Sequence, residues 1–167
     1  MRSKLFLILG LVLTLALTAN AQTKTSGTVS CAKPDPAYSI DVGDRNGHSV
    51  SISKSACTWT KSMDIAELQS KDGYDVTYGD ASGTKVRGSG YHVSNMSNGD
   101  KFYVRFQGND TMKDGKPDTT EGTWSYTGGT GKLKGIKGKG TYKGKADSSG
   151  NMVVEVEGDY ELPAAKK

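Results

Sequence analysis

Near the C-terminus, charged and small residues alternate on both sides of a single turn, and few structures accommodate that pattern. Lys137, Lys139, Lys143 and Lys145 alternate with Gly138, Gly140, Tyr142, Gly144 and Ala146. Downstream, Glu155, Glu157, Asp159 and Glu161 alternate with Val154, Val156, Gly158 and Tyr160. A period of two is that of a β-strand, whose side chains point alternately to opposite faces. With Ser148-Ser149-Gly150 as a three-residue hairpin loop, Lys145 faces Val153, Lys143 faces Glu155, Thr141 faces Glu157, Lys139 faces Asp159 and Lys137 faces Glu161. A slip of one residue would lose both the opposite-charge pairs and the apolar face, so the register is specified. Glycine on the inward face permits strong curvature and leaves room for aromatic rings. Curved strands with small inward residues suit a closed barrel better than a flat sandwich.

The rest of the chain predicts the same class. Glycine is abundant, at 22 of 167 residues, no long helical periodicity occurs, and turn signals recur at short intervals. Eight strands are expected: Tyr38–Val42, His48–Ala56, Tyr74–Tyr78, Thr84–Val93, Lys101–Gly108, Gly122–Thr127, Lys137–Ala146 and Met152–Leu162. Alternation groups Phe102, Val104 and Phe106 on one face, Trp124 and Tyr126 on another, and Tyr74, Val76 and Tyr78 on a third. In the second strand His48, Val50, Ile52, Lys54 and Ala56 oppose a row of serines, and the apolar side is expected to face inward. Residues 22–36 read as an extended N-terminal arm, residues 37–162 as the all-β, eight-stranded antiparallel barrel and residues 163–167 as a flexible tail. Ser62–Gln69 reads as a short helix or a further strand, and Asn109–Thr120 as a polar loop.

The first 21 residues have the pattern of a secretory signal peptide. Arg2 and Lys4 precede the apolar run Leu5–Leu17, which is shorter than the ~20 residues of a membrane-spanning helix. Ala19-Asn20-Ala21 supplies the small residues of a cleavage site. Cleavage would leave 146 of the 167 residues, enough for one domain, with no membrane span and a secreted or periplasmic location. It would also remove Arg2 and Lys4, leaving 20 basic against 18 acidic residues and a net charge of +2. That is too small to imply nucleic-acid binding. In an oxidising compartment Cys31 and Cys57 are expected to form a disulfide, stabilising the fold by roughly 3–4 kcal/mol. No metal site is expected, because neither cysteine has a second ligand at metal-binding spacing and only two histidines exist.

Residues able to do chemistry are few. His48 and His92 fall by parity on the apolar faces of their strands, His48 close to a rim. Phe102, Phe106, Trp124, Tyr126, Tyr142 and His92 are the candidate ligand-binding set, and His92 is the one candidate for catalysis. Gly129-Thr130-Gly131-Lys132-Leu133 does not satisfy the phosphate-loop pattern, which requires Ser or Thr after the lysine. The lysine run is faced by acids and reads as a paired, solvated surface.

Gly122, Trp124, Gly128, Gly129, Gly131, Leu133, Gly135 and Gly138 carry a resemblance. The segment from Gly122 to Gly144 resembles the strand–glycine turn–strand block of the allene oxide cyclase and dirigent barrel superfamily. The wider chain is similar to uncharacterised exported bacterial proteins of that type. The resemblance implies an eight-stranded antiparallel barrel whose interior can hold a small apolar molecule, with no cofactor. None of the superfamily's catalytic residues carries over to this chain. Three functions follow as expectations. The first is binding of a small apolar or aromatic ligand inside the barrel. The second is a protein-interaction or inhibitor role through the rim loops Asn109–Thr120 and Met63–Gly73. The third is a cofactor-free cyclase or isomerase. Charged outward faces favour a monomer.

Overall fold

The computed structural model describes residues 22–164; the segment assigned to the signal peptide and the last three residues lie outside it. Ten strands succeed one another: β1 (Thr23–Cys31), β2 (Ala37–Asp41), β3 (His48–Lys61), β4 (Asp64–Ile65), β5 (Leu68–Ser82), β6 (Lys85–Met96), β7 (Lys101–Lys113), β8 (Lys116–Gly129), β9 (Lys139–Ala146) and β10 (Met152–Tyr160). The only helical element among the described residues is a 3-10 turn at Gly131–Leu133. Pairing runs β3-β1-β10-β9-β8-β7-β6-β5, and β5 returns to β3, which closes an antiparallel barrel of eight staves. This is the barrel that the sequence resemblance implied.

The C-terminal hairpin has the register that its charges specify. Lys145 faces Val153, Lys143 faces Glu155, Thr141 faces Glu157 and Lys137 bridges Glu161. Lys143 and Glu155 form an ion pair of 3.7 Å, while Asp159 pairs with Lys24 of β1 rather than with Lys139. On the inward face Gly140 and Gly158 lie beneath the indole of Trp124: a Cβ there would stand 2.7 and 2.5 Å from its ring. These two glycines set the thickness of the barrel wall at its largest side chain.

Several expectations are corrected. Thr23–Cys31, within the expected N-terminal arm, is a full stave that pairs with β10 over its whole length and with β3 at one end. Its alternation was hard to see because the inward residues Thr25, Gly27, Val29 and Cys31 are small and partly polar. The count of eight is kept only because the strand expected at Tyr38–Val42, observed as β2 at Ala37–Asp41, lies outside the closed ring and pairs with β3 alone. Asn109–Thr120 is not a loop. β7 and β8 continue through it to a two-residue turn at Asp114-Gly115, both with positive φ (52° and 73°). Asp-Gly is the strongest short hairpin signal a sequence carries. Of the two readings of Ser62–Gln69 the strand is the one observed, although it is no stave of the ring. It makes a two-residue β4 hairpin that folds Met63, Ile65 and Leu68 into the barrel's end.

A further correction concerns faces. In β3 the interior side is the serine row, Ser49, Ser51, Ser53 and Ser55, all lining the barrel lumen. Val50, Ile52 and Lys54 stand on the outside, with Ile52 well exposed. In β5 the inward side is likewise Asp75, Thr77 and Gly79, and Tyr74, Val76 and Tyr78 face out. The inward faces of β6, β7 and β8 are those expected. The outer wall is therefore charged along β7–β10, whereas across β2, β3, β5 and β6 large apolar side chains stand exposed among a few charges such as Lys54, Asp80 and Arg87, which removes the reason for expecting a monomer.

One end of the barrel is filled and the other is hollow. Met63, Ile65, Leu68, Met96, Phe102, Leu133 and Ile136 are buried together at the filled end. Tyr160 helps to seal it, its hydroxyl accepting from the Ala66 amide at 3.0 Å. Cys31 and Cys57 are direct neighbours across β1 and β3 and form the expected disulfide.

Candidate functional site

The hollow end contains a cavity of about 460 Å³. It opens among the turns that join β2–β3, β5–β6, β7–β8 and β9–β10. Its two sides differ in chemistry. The wall from β6 to β10 presents Val104, Phe106, Trp124, Val154 and Val156; the wall from β2, β3 and β5 presents Ser39, Ser49, Ser51, Ser53, Ser55 and Thr77. A molecule inside would meet apolar surface on one side and a row of hydroxyls on the other.

His92 lies at the floor of this cavity and is only 8% exposed. Asp75 is its direct neighbour across the β5–β6 ladder. The His92 Nδ1 to Asp75 Oδ1 distance is 2.7 Å. A carboxylate offers only lone pairs, so Nδ1 carries the proton of that bond and Nε2 of the neutral ring is an acceptor. Nε2 is buried and has no hydrogen-bond partner. Trp59 stands edge-on to the imidazole at 5.9 Å and Phe102 lies 6.0 Å away on another side. Trp59 is itself fixed by donating from Nε1 to Ser94 Oγ at 2.8 Å. The imidazole is thus held by packing on its faces and by one charge-assisted bond, with one nitrogen left free. Asp75 Oδ2 touches Cys31 Sγ at 3.5 Å, a contact without a proton because both sulfurs are in the disulfide.

A second polar group lies higher in the cavity. Asp110 accepts from Thr120 Oγ1 at 2.5 Å, and burial raises its carboxyl above the usual range. Tyr142 stands nearby, its hydroxyl pushed up to about 12 first by loss of solvent and then by the Asp110 charge.

Of the residues singled out in the sequence, His92, Phe102, Phe106, Trp124 and Tyr142 all line the cavity. Tyr126 does not. It lies in the filled end, its hydroxyl 3.6 Å from Met63 Sδ, and burial raises it strongly. His48 is at the rim, bonded to Asp44 through Nδ1 and to Asp80 through Nε2 at 3.2 Å. Lys54 is outside the barrel, over the ring of Tyr74 at 4.4 Å. Asp75, Asp110 and the serine row were missed. The available signal for Asp75 was strand pairing: once β5 and β6 share a tight turn, Asp75 must face His92.

No protein-family model matches the chain, and no curated protein matches it. Solved structures do. A conserved protein of unknown function from Rhodopseudomonas palustris aligns over 85% of this chain and 99% of its own, with a TM-score of 0.53 at 8% identity. A protein of unknown function from the DUF3224 family of Shewanella oneidensis MR-1 aligns over 86% and 100%, with a TM-score of 0.48 at 19% identity. A pterocarpan synthase dirigent protein aligns over 88% of each chain, with a TM-score of 0.47 at 12% identity. The first of these shares the fold, and at such identity the likeness is one of fold alone.

Proposed function

We propose that this protein is an exported barrel that binds a small, largely apolar molecule carrying at least one hydrogen-bond donor. The observation that carries the reading is the unpaired Nε2 of His92 at the floor of a cavity of about 460 Å³. A buried polar atom without a partner costs about 1–3 kcal/mol, and a ligand donor at that position would remove the cost. The volume falls within the usual range of small-molecule sites, ~300–1,000 Å³, and the lining has their usual make-up of apolar surface with a few placed polar groups. The disulfide supports the exported location.

The test is native mass spectrometry of the mature protein purified from its own compartment, set against its denatured mass. Additional mass that is lost on denaturation, and is absent from His92→Phe, supports the reading. A bare chain mass in the wild type, with no shift on screening apolar hydrogen-bond donors, would sink it.

A second reading, a cofactor-free cyclase or isomerase, is favoured by one observation: an Asp–His pair with a free imidazole nitrogen is the arrangement of a general base. It requires that His92→Ala abolish turnover while ligand affinity survives. The rim-loop reading is weakened, since Met63, Ile65 and Leu68 of the segment Met63–Gly73 are turned into the core.

A further inference from the structure

The outer wall of the barrel carries a large apolar quadrant that the interior site does not explain. All eight of the large exposed hydrophobic side chains among the described residues, Tyr38, Ile40, Val42, Ile52, Tyr74, Val76, Tyr78 and Tyr91, belong to β2, β3, β5, β6 or the residue following β2. Strand register makes them one surface. Tyr38 faces Ile52 and Ile52 faces Tyr78; in the next row Lys54 faces Val76 and Val76 faces Tyr91. Exposure is high at its middle and margins: 68% for Tyr38, 70% for Ile40, 58% for Ile52 and 54% for Tyr91. The opposite half of the wall presents Arg105, Thr123, Lys139, Lys143, Glu155 and Glu157 and has no comparable patch.

We propose that this quadrant is the interface of a two-fold dimer, in which the outer face of β2, β3, β5 and β6 packs on the same face of a second copy. Three observations select that occupant. The first is area. With ~200 Å² for a whole tyrosine side chain and less for Ile and Val, the exposed fractions amount to roughly 800 Å², the area each partner buries in a standard-size interface. Monomeric proteins rarely expose apolar patches that large. The second is self-complementarity. The centre of the quadrant has no charge, so its cover must be equally apolar, and an isologous interface supplies that surface automatically. The third is the placement of the few charges. About the central pair Ile52–Tyr78, Lys54 lies two residues along β3 in one direction, while Asp80 lies two residues along β5 in the other. A two-fold axis lying across the strands over that pair exchanges the two ends and brings Lys54 of each copy to Asp80 of the other, where it would join the His48 and Arg87 that Asp80 already meets in its own copy. Two sheets packed face to face at ~10 Å allow that contact.

The test uses the mature chain in sedimentation velocity across roughly 1–100 μM, spanning the affinities at which such interfaces operate. The expected result is a reversible dimer. Ile52→Lys, at the centre of the patch, is expected to weaken it at least tenfold without changing the melting temperature of the monomer, because the side chain is exposed. Lys54→Asp is expected to weaken the dimer, and Lys54→Asp with Asp80→Lys to recover most of it. A wild-type monomer at the highest concentration overturns the proposal, as does a dimer indifferent to Ile52→Lys, or failure of the charge exchange to restore association. A monomer that sediments with phosphatidylcholine vesicles through Ile52 also overturns it, and assigns the patch to a lipid surface. Loss of the dimer leaves the interior cavity intact, so this outcome is separate from that of the ligand reading.

Discussion

Asp75 faces His92 across two adjacent staves, and the bond between them leaves the other imidazole nitrogen alone at the floor of the cavity. Asp75→Ala would strip the ring of its one polar partner and leave both nitrogens buried and unpaired. The expected cost is about 1–3 kcal/mol in urea denaturation, whereas Asp75→Asn, which can still accept from Nδ1, should recover most of it. Equal loss in the two variants would show that the carboxylate position, not the hydrogen bond, is what the fold requires.

The disulfide joins two neighbouring staves and closes a loop of sequence separation 26. Replacing both cysteines by alanine is expected to lower stability by about 3 kcal/mol. Denaturation of the oxidised wild type and the double variant reads this directly. Coincident curves would rule out a stabilising role.

An added Cβ at Gly158 would collide with the Lys139 carbonyl oxygen of β9 and lie 2.5 Å from Trp124 Cζ2. Gly158→Val should therefore displace the indole and cost about 1–3 kcal/mol by overpacking. A shifted tryptophan emission together with a lower melting temperature is expected. A variant with unaltered emission and stability would mean the wall can move outward there.

Alkaline pH should unfold the barrel through its buried phenols. Tyr142 is raised to about 12 and Tyr126 is raised further by burial. Both hold their protons in the fold more tightly than in the unfolded chain, where tyrosine titrates near 10. Their contribution is complete below about pH 10 and disappears as pH rises through the folded-state values. Phenolate absorbance should thus rise in two stages, with the last tyrosines ionising only as the fold is lost. A single stage near pH 10 with the circular dichroism intact is the contrary result.

Asp110 has the opposite consequence near neutrality. Burial raises its carboxyl, so the fold prefers it protonated, and its ionisation is a penalty at pH 7. Asp110→Asn should raise the melting temperature at pH 7. Relative to wild type that gain should shrink as pH falls towards the ordinary Asp value of 3.8, where the wild-type carboxyl is itself protonated. A gain that is constant with pH would point to a change in packing instead.

The C-terminal hairpin was legible because its information is local. Charges at Lys143 and Glu155, small residues between them and a three-residue loop fix register without reference to the rest of the chain. The inward rows of β7 and β8 were legible for the same reason, since large apolar residues alternate there with polar ones. Asp114-Gly115 carried an equally local signal that the polar composition around it concealed. The serine row of β3 and the Asp75 row of β5 were not legible, because alternation gives the two faces of a strand but not which one is inside. Barrel closure decides that: the face of β5 continuous with His92 must be the interior one, whatever its polarity. The same closure put Tyr74, Val76, Tyr78 and Ile52 outside and made a stave of Thr23–Cys31, which needs both β10 and β3 beside it to be a strand at all. The sequence by itself determined the strand class and the hairpin register, set by neighbours along the chain or across one turn, and its two cysteines left one possible disulfide. Only the tertiary structure decided the polar floor of the cavity and the apolar outer quadrant, because both depend on strands distant in sequence meeting around a closed ring.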